Sequence, residues 1–232
     1  WLRGPLLPLV RDLLEPTEQR ALAQCAVFRG GFSLEAAEEV LELDDGAWAL
    51  DVVQALRDKS LLRSWEPPGL SGEVRFGMYE SLRVFAGEQL DASGEREATE
   101  SRHAEVMIEQ GEELASGIDS ADGVQARRRL ALELDNLHAV WDHQKRTNVG
   151  LAADAILAIA PLLSSIGPAD LLRTLLDDAI ATVTSANGPK RTRFQLHLQR
   201  AEQAMAQGDV ARGLRDTDAA RELAGRLGDQ EA

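Results

Sequence analysis

The stretch LLEPTEQRALAQCAVFRGGFSLEAAEEVLELDDGAWALDVVQALRDKSLL, residues 13–62, decides the fold. Pro16-Thr17 followed by Glu18 marks a helix start, because proline suits the first turn and an acid there suits the helix dipole. Leu22, Cys25, Ala26 and Phe28 then recur at helical spacing. Gly30-Gly31 is expected to end that helix, since glycine enters the left-handed region without a side-chain clash. Ser33 is placed to cap a second helix over 34–43. After the Asp44-Asp45-Gly46 turn, a third helix over 47–59 is expected to turn Trp48, Leu50, Val52-Val53 and Leu56 toward a core. Leu61-Leu62-Arg63-Ser64-Trp65 reads as a strand, and residues 74–79 (VRFGMY) alternate well enough to pair with it. Residues 66–72, EPPGLSG, would join the two as a hairpin. Three short helices leading into a hairpin predict a winged helix over 16–92.

Helices dominate the rest of the chain. Residues 79–90 predict a helix whose Leu82, Val84-Phe85 and Leu90 return to the first core, and Asp91-Ala92-Ser93-Gly94 predicts a turn and a domain boundary. Apolar stripes then predict helices over 95–116, with Ala104, Met107, Ile108 and Leu114 on one side, and over 121–146, with Val124, Leu130, Leu134, Leu137 and Trp141. Further helices follow over 149–164, 168–185, 191–207 and 210–227. Their short links make neighbours antiparallel, so residues 93–232 predict a superhelical array of helical hairpins. The repeat is clearest at 194–228. With the turn at Gly208-Asp209, the small residues Ala201, Ala204, Gly213 and Ala220 fall where a tetratricopeptide unit brings its two helices together. Arg200 occupies the position expected to be large and apolar, and Leu196 and Leu198 are the nearby candidates for its role.

The blocks FRGGFSLEAAEEVL (28–41), ALRDKSLLRS (55–64), RFGMYESLRVFAGEQL (75–90), RHAEVMIEQGEELA (102–115) and LALELDNLHAVWDHQ (130–144) form an ordered series. That series resembles the segment following the nucleotide-binding domain in bacterial STAND-type signalling ATPases, the AfsR-like and LuxR-type multidomain regulators. The resemblance implies a winged helix that packs on the nucleotide domain and relays its ADP or ATP state. It also implies a tetratricopeptide-like array that restrains the switch or receives a protein or small-molecule signal. Residues 1–15 would be a linker helix from an upstream domain, where ATP or ADP would bind. No nucleotide-contacting residue of this chain is carried over, because no motif here fixes one.

Composition bounds the chemistry. Twenty-five Lys and Arg against 39 Asp and Glu leave a net charge of −14 among 232 residues. Residues 16–91 alone carry seven basic and fourteen acidic side chains. A surface of that sign repels phosphate, so direct DNA binding by the winged helix is the alternative reading, not the first. The single cysteine excludes an internal disulfide and fits a reducing cytoplasm. The most apolar run, 151–166, is interrupted by Asp154, Pro161 and a serine pair.

Candidate chemistry is sparse. The pattern G-x-x-x-x-G-K-[ST] is missing, and the glycine-plus-basic cluster at 187–193 (NGPKRTR) has the wrong spacing for it. His138 and Asp142 lie four apart, which can present two metal ligands on one helix face, but no third ligand follows from spacing. Cys25 reads as a buried small hydrophobe, Ser33 as a helix cap, and Arg127-Arg128-Arg129 as a fan around a helix that Glu133 and Asp135 can pair with. An enzyme built from dispersed acids and histidines is a third possibility with no motif behind it. The expectation is a non-catalytic, cytoplasmic interaction segment without catalytic, cofactor or metal residues of its own.

Overall fold

The structure is a computed structural model that describes residues 13–43 and 46–228. Most of the expected linker helix, the Asp44-Asp45 half of one turn and the turn after Leu227 lie outside the described residues. The chain divides into two compact units within one helix, between Met107 and Ile108. Gly94, in the turn expected at 91–94, caps the preceding helix at φ +76°.

In the first unit, α1 (Pro16–Gln24) starts at Pro16, and the Glu18 carboxylate accepts from the Glu15 N–H at 2.8 Å. The helix is shorter than the spacing suggested. It tightens into a 3-10 turn at Cys25–Val27, and Phe28 is already extended, before Gly30-Gly31. Ser33 Oγ accepts from the Ala36 N–H at 3.2 Å and opens α2 (Leu34–Val40). Next comes α3 (Ala49–Asp58). Strands β1 (Arg63–Trp65) and β2 (Arg75–Gly77) pair antiparallel with Ser64 opposite Phe76. Phe32, between α1 and α2, adds to the far edge of β2: the backbones of Phe32 and Phe76 exchange two 2.8 Å hydrogen bonds. A single bridging residue carries no alternating pattern, so this third line of pairing leaves no sequence signal. Helix α4 (Glu80–Ser93) and the first part of α5 (Arg96–Ser116) complete the unit.

Aromatic rings centre the core. Phe28 and Phe32 stack at 4.5 Å, Phe32 and Phe76 lie 6.1 Å apart, and His103 meets Phe28 edge-on at 5.1 Å. Leu22, Val53, Leu56, Leu62 and Leu90 close around them, none more than 3% exposed. Two of the residues expected in this core stay outside it: Trp48 is 73% exposed and Leu50 38%. The physical reason is position: Trp48 is the N-cap of α3, with extended backbone before the first helical turn, and Leu50 lies in that first turn at the edge of the face that Val52, Val53 and Leu56 bury.

The second unit continues from α5 through α6 (Gly123–Gln144), α7 (Val149–Ile166), α8 (Ala169–Ser185), α9 (Lys190–Ala206) and α10 (Val210–Gly228). From α6 onward consecutive helices pack pairwise, and α7 also packs on α9. Short connections force this arrangement. Asn148 caps α7 by accepting from the Leu151 N–H at 3.2 Å, and Gly208 at φ +79° turns α9 into α10. In that last hairpin Ala201, Ala204, Gly213 and Ala220 are buried, and Leu196 is fully buried. Leu198, the other apolar candidate, is 41% exposed.

Helix α7 is by length and composition apolar enough to cross a membrane, with a mean hydropathy of 1.9 over 18 residues. Of that window 56% is buried inside the protein, where α6, α8 and α9 surround it. Position accounts for its composition, since a helix packed on several sides is apolar nearly all round. On α6, Val124 is 56% exposed instead of joining the expected stripe, while Glu133 and Asn136 are buried. Asn136 Nδ2 donates to the Glu133 carboxylate at 2.7 Å.

Candidate partner-binding site

The side chains that could suggest chemistry do not assemble into a centre. His138 Nδ1 and Asp142 Oδ2 are 3.7 Å apart, and Lys145 donates to Asp142 at 2.9 Å. Among the described residues no three His, Cys, Asp or Glu side chains converge on a metal position. Burial pushes the Cys25 thiol up to about 12, which leaves it protonated and unreactive at neutral pH. In the 187–193 cluster, Asn187 adopts φ 50° just beyond the end of α8 and Pro189 caps α9, so the glycine serves a helix link.

Three surfaces remain. The first is the outward side of α3 and the adjoining hairpin. Its exposed helix residues are Leu50, Asp51, Gln54, Arg57 and Asp58, with Trp48 at the cap. The cations nearby are already held. Arg57 pairs with Asp58 at 2.9 Å, and Lys59 reaches both Glu18 oxygens at 2.5 and 2.7 Å. Burial opposes the charge on Glu18, but Lys59 and the Glu15 N–H outweigh it and keep its pKa below the usual value. Arg63 lies over the rings of Trp65 (4.8 Å) and Tyr79 (5.7 Å), and Arg75 is buried, donating to the Gly31 carbonyl at 3.0 Å. In the same unit a groove of about 310 Å³ runs between α1 and α4, with Leu14, Leu22, Ala23, Phe85 and Ala86 supplying its apolar lining.

The second surface is a strip of α7. Most of that helix is buried, but Leu151, Asp154, Leu157 and Pro161 are half-exposed. Their spacing puts them along one side. Burial, with the nearby Glu112 of α5 adding to it, raises the Asp154 carboxyl above its usual pKa. Thr192 Oγ1 of α9 offers only a long 3.5 Å hydrogen bond, and Arg191 draws the value back in part.

The third is an ion network across α8, α9 and α10. Arg200, at the position expected to be apolar, donates to Asp216 at 2.5 and 2.8 Å and to Asp177 at 2.7 Å. His197 Nδ1 is 2.9 Å from Asp216, and Arg212 pairs with Asp177. Burial opposes ionisation of both carboxyls, yet the arginines beside them keep both below the usual carboxylate range. Asp216 is only 3% exposed. The network replaces apolar packing at this crossing with charge, and its saturation makes it a structural tie. Sequence reasoning missed it because Asp177, Arg200 and Asp216 meet only through the antiparallel hairpins.

No family model, no curated protein and no solved structure matches this chain.

Proposed function

We propose that this chain is a non-catalytic regulatory and protein-interaction segment of a cytoplasmic bacterial STAND-type signalling ATPase. In this reading residues 16–92 form a winged helix: three short helices, the β1–β2 hairpin and the Phe32–Phe76 bridge supply its parts. The winged helix packs on a nucleotide domain elsewhere in the parent chain and carries its ADP or ATP state toward the tetratricopeptide-like helices. Those helices restrain the switch or receive a protein or small-molecule signal. Coupling of that kind needs an element with two arrangements that both ends bias.

One observation supports packing on protein over packing on DNA. The outward side of α3 presents Trp48 and Leu50 to solvent with Gln54 as its one exposed amide, while Arg57 and Lys59 are tied to Asp58 and Glu18. A helix that reads the major groove needs Arg, Lys, Asn or Gln free to reach base edges and phosphates. An exposed tryptophan beside a leucine suits a protein partner instead, where aromatic side chains anchor interfaces.

Fluorescence anisotropy with a labelled random-sequence duplex, at about 20 mM salt where phosphate contacts are strongest, separates the two readings. The expected result is no saturable binding. Tight binding that falls steeply with added salt would support the alternative, a transcription regulator using its winged helix directly.

A further inference from the structure

We infer that the open strip of α7 is a docking surface for a basic, amphipathic segment of a partner protein, one presenting Lys or Arg beside apolar side chains. This rests on the reading of the helical array as an interaction module and specifies its partner's chemistry. The argument begins with burial. Ala152, Ala153, Ala155, Ile156, Ala158, Ile159, Ala160, Leu162 and Leu163 are at most 4% exposed, whereas Leu151, Asp154, Leu157 and Pro161 are half-exposed. At about 1.5 Å per residue these four mark a strip roughly 15 Å long. Three of its four side chains are apolar.

The strip has walls. On the α5 side, a Cβ at Gly111 would lie 3.0 Å from the Ala158 side chain, so that glycine permits a close crossing and brings the exposed Glu112 beside Asp154. On the α9 side, a Cβ at Gly150 would meet Pro189, and Asp154 meets Thr192 one turn later. The two helices therefore advance in the same direction.

Charge selects the occupant. Asp154 sits in an apolar strip with a second carboxylate, Glu112, nearby; the two acids outnumber the one cation near Asp154, Arg191, and the one side-chain hydrogen bond described for Asp154 is long. Pro161 has no N–H to donate to the Leu157 carbonyl, so the strip also carries an acceptor without its usual helical donor. An approaching ammonium or guanidinium satisfies both kinds of group, and its aliphatic stem covers the leucines. An acidic segment would add a further like charge to Glu112 and Asp154.

The test uses a fluorescein-labelled peptide of Leu-Lys-Lys-Leu repeats, with a Leu-Glu-Glu-Leu peptide as its counterpart. Saturable binding of the lysine peptide is expected, weakened about tenfold or more by Glu112→Gln with Asp154→Asn. A control variant, Asp135→Asn with Asp178→Asn, removes two exposed acids of α6 and α8 and should change affinity less than about twofold. Asn at 154 keeps an oxygen that can accept from Thr192, and matched circular dichroism spectra verify the fold of both variants. Equal weakening by both pairs, equal binding of the glutamate peptide, or no saturable binding of the lysine peptide would each overturn the inference. The parent chain's identity as a signalling ATPase is decided separately, by its reading frame.

Discussion

Gly31→Ala should destabilise the first unit by about 3 kcal/mol, well beyond the effect of an ordinary turn glycine. Gly31 adopts φ +102°, and a Cβ there would stand 2.5 Å from Trp65 Cη2 and 2.8 Å from the Phe76 carbonyl oxygen. The indole could swing away, but the carbonyl belongs to the Phe32–Phe76 bridge and cannot move without breaking it. A Cβ built on Gly77 would also lie 3.0 Å from the same ring, so Trp65 packs close to the backbone on that side and has little room to yield. Gly72→Ala is the control. It shares a positive φ, +84°, with nothing within 4 Å of its added Cβ, and should cost only about 1 kcal/mol. Urea unfolding of the two variants isolates the clash as their difference, about 2 kcal/mol. Equal losses would mean that hairpin and α1–α2 link are not packed as described.

Asp216→Ala should cost the second unit about 3 kcal/mol, because it removes two of the three described carboxylate hydrogen bonds of Arg200, whose side chain is only 17% exposed, and leaves it Asp177 alone. By contrast Asp218→Ala removes an exposed partner of Arg221, both side chains being more than 70% exposed, and should change stability by less than about 0.5 kcal/mol. Replacing the pair together, Arg200→Leu with Asp216→Leu, should recover most of the loss, since apolar packing substitutes well for an enclosed ion pair. Acid adds an independent readout. Asp177 and Asp216 have pKa values below the usual carboxylate range when folded, so the unfolded chain takes up their protons first as pH falls. Their contribution is complete above the ordinary carboxylate pKa of about 4 and is lost as pH drops through the lowered folded values. Urea titrations across that window should show a steep acid loss in the native chain and a shallower one in Asp216→Ala. Identical slopes would contradict the coupling.

Periodic signals were legible and long-range ones were not. The expected helices over 149–164, 168–185, 191–207 and 210–227 agree with α7–α10 to within two residues at each end, because apolar spacing and Gly, Pro and Asn punctuation act locally. The hairpin was legible for the same reason, from alternation around a proline-glycine loop. Trp48 and Leu50 read as core because hydrophobicity alone does not fix where a helix starts; Trp48 stands before the first turn and Leu50 at the edge of the buried face. Arg200 looked like a defect in the repeat. Its meaning depends on Asp177 and Asp216, 23 and 16 residues away, brought to it by the folding of two helix pairs. Asp154 appeared only as an interruption of an apolar run. Its setting depends on Glu112, Arg191 and Thr192, which other helices supply.

The central claim, that this segment works inside a nucleotide switch, is tested most directly by sequencing the coding DNA upstream and downstream of residues 1–232 in one reading frame. The expected result is an upstream apolar strand followed by G-x-x-x-x-G-K-[ST], then a second apolar strand ending in Asp, since such a loop cradles the phosphates and the acid serves the bound magnesium. A start codon close before Trp1 in that frame, with no such loop ahead of it, would contradict the claim and leave a free-standing interaction protein.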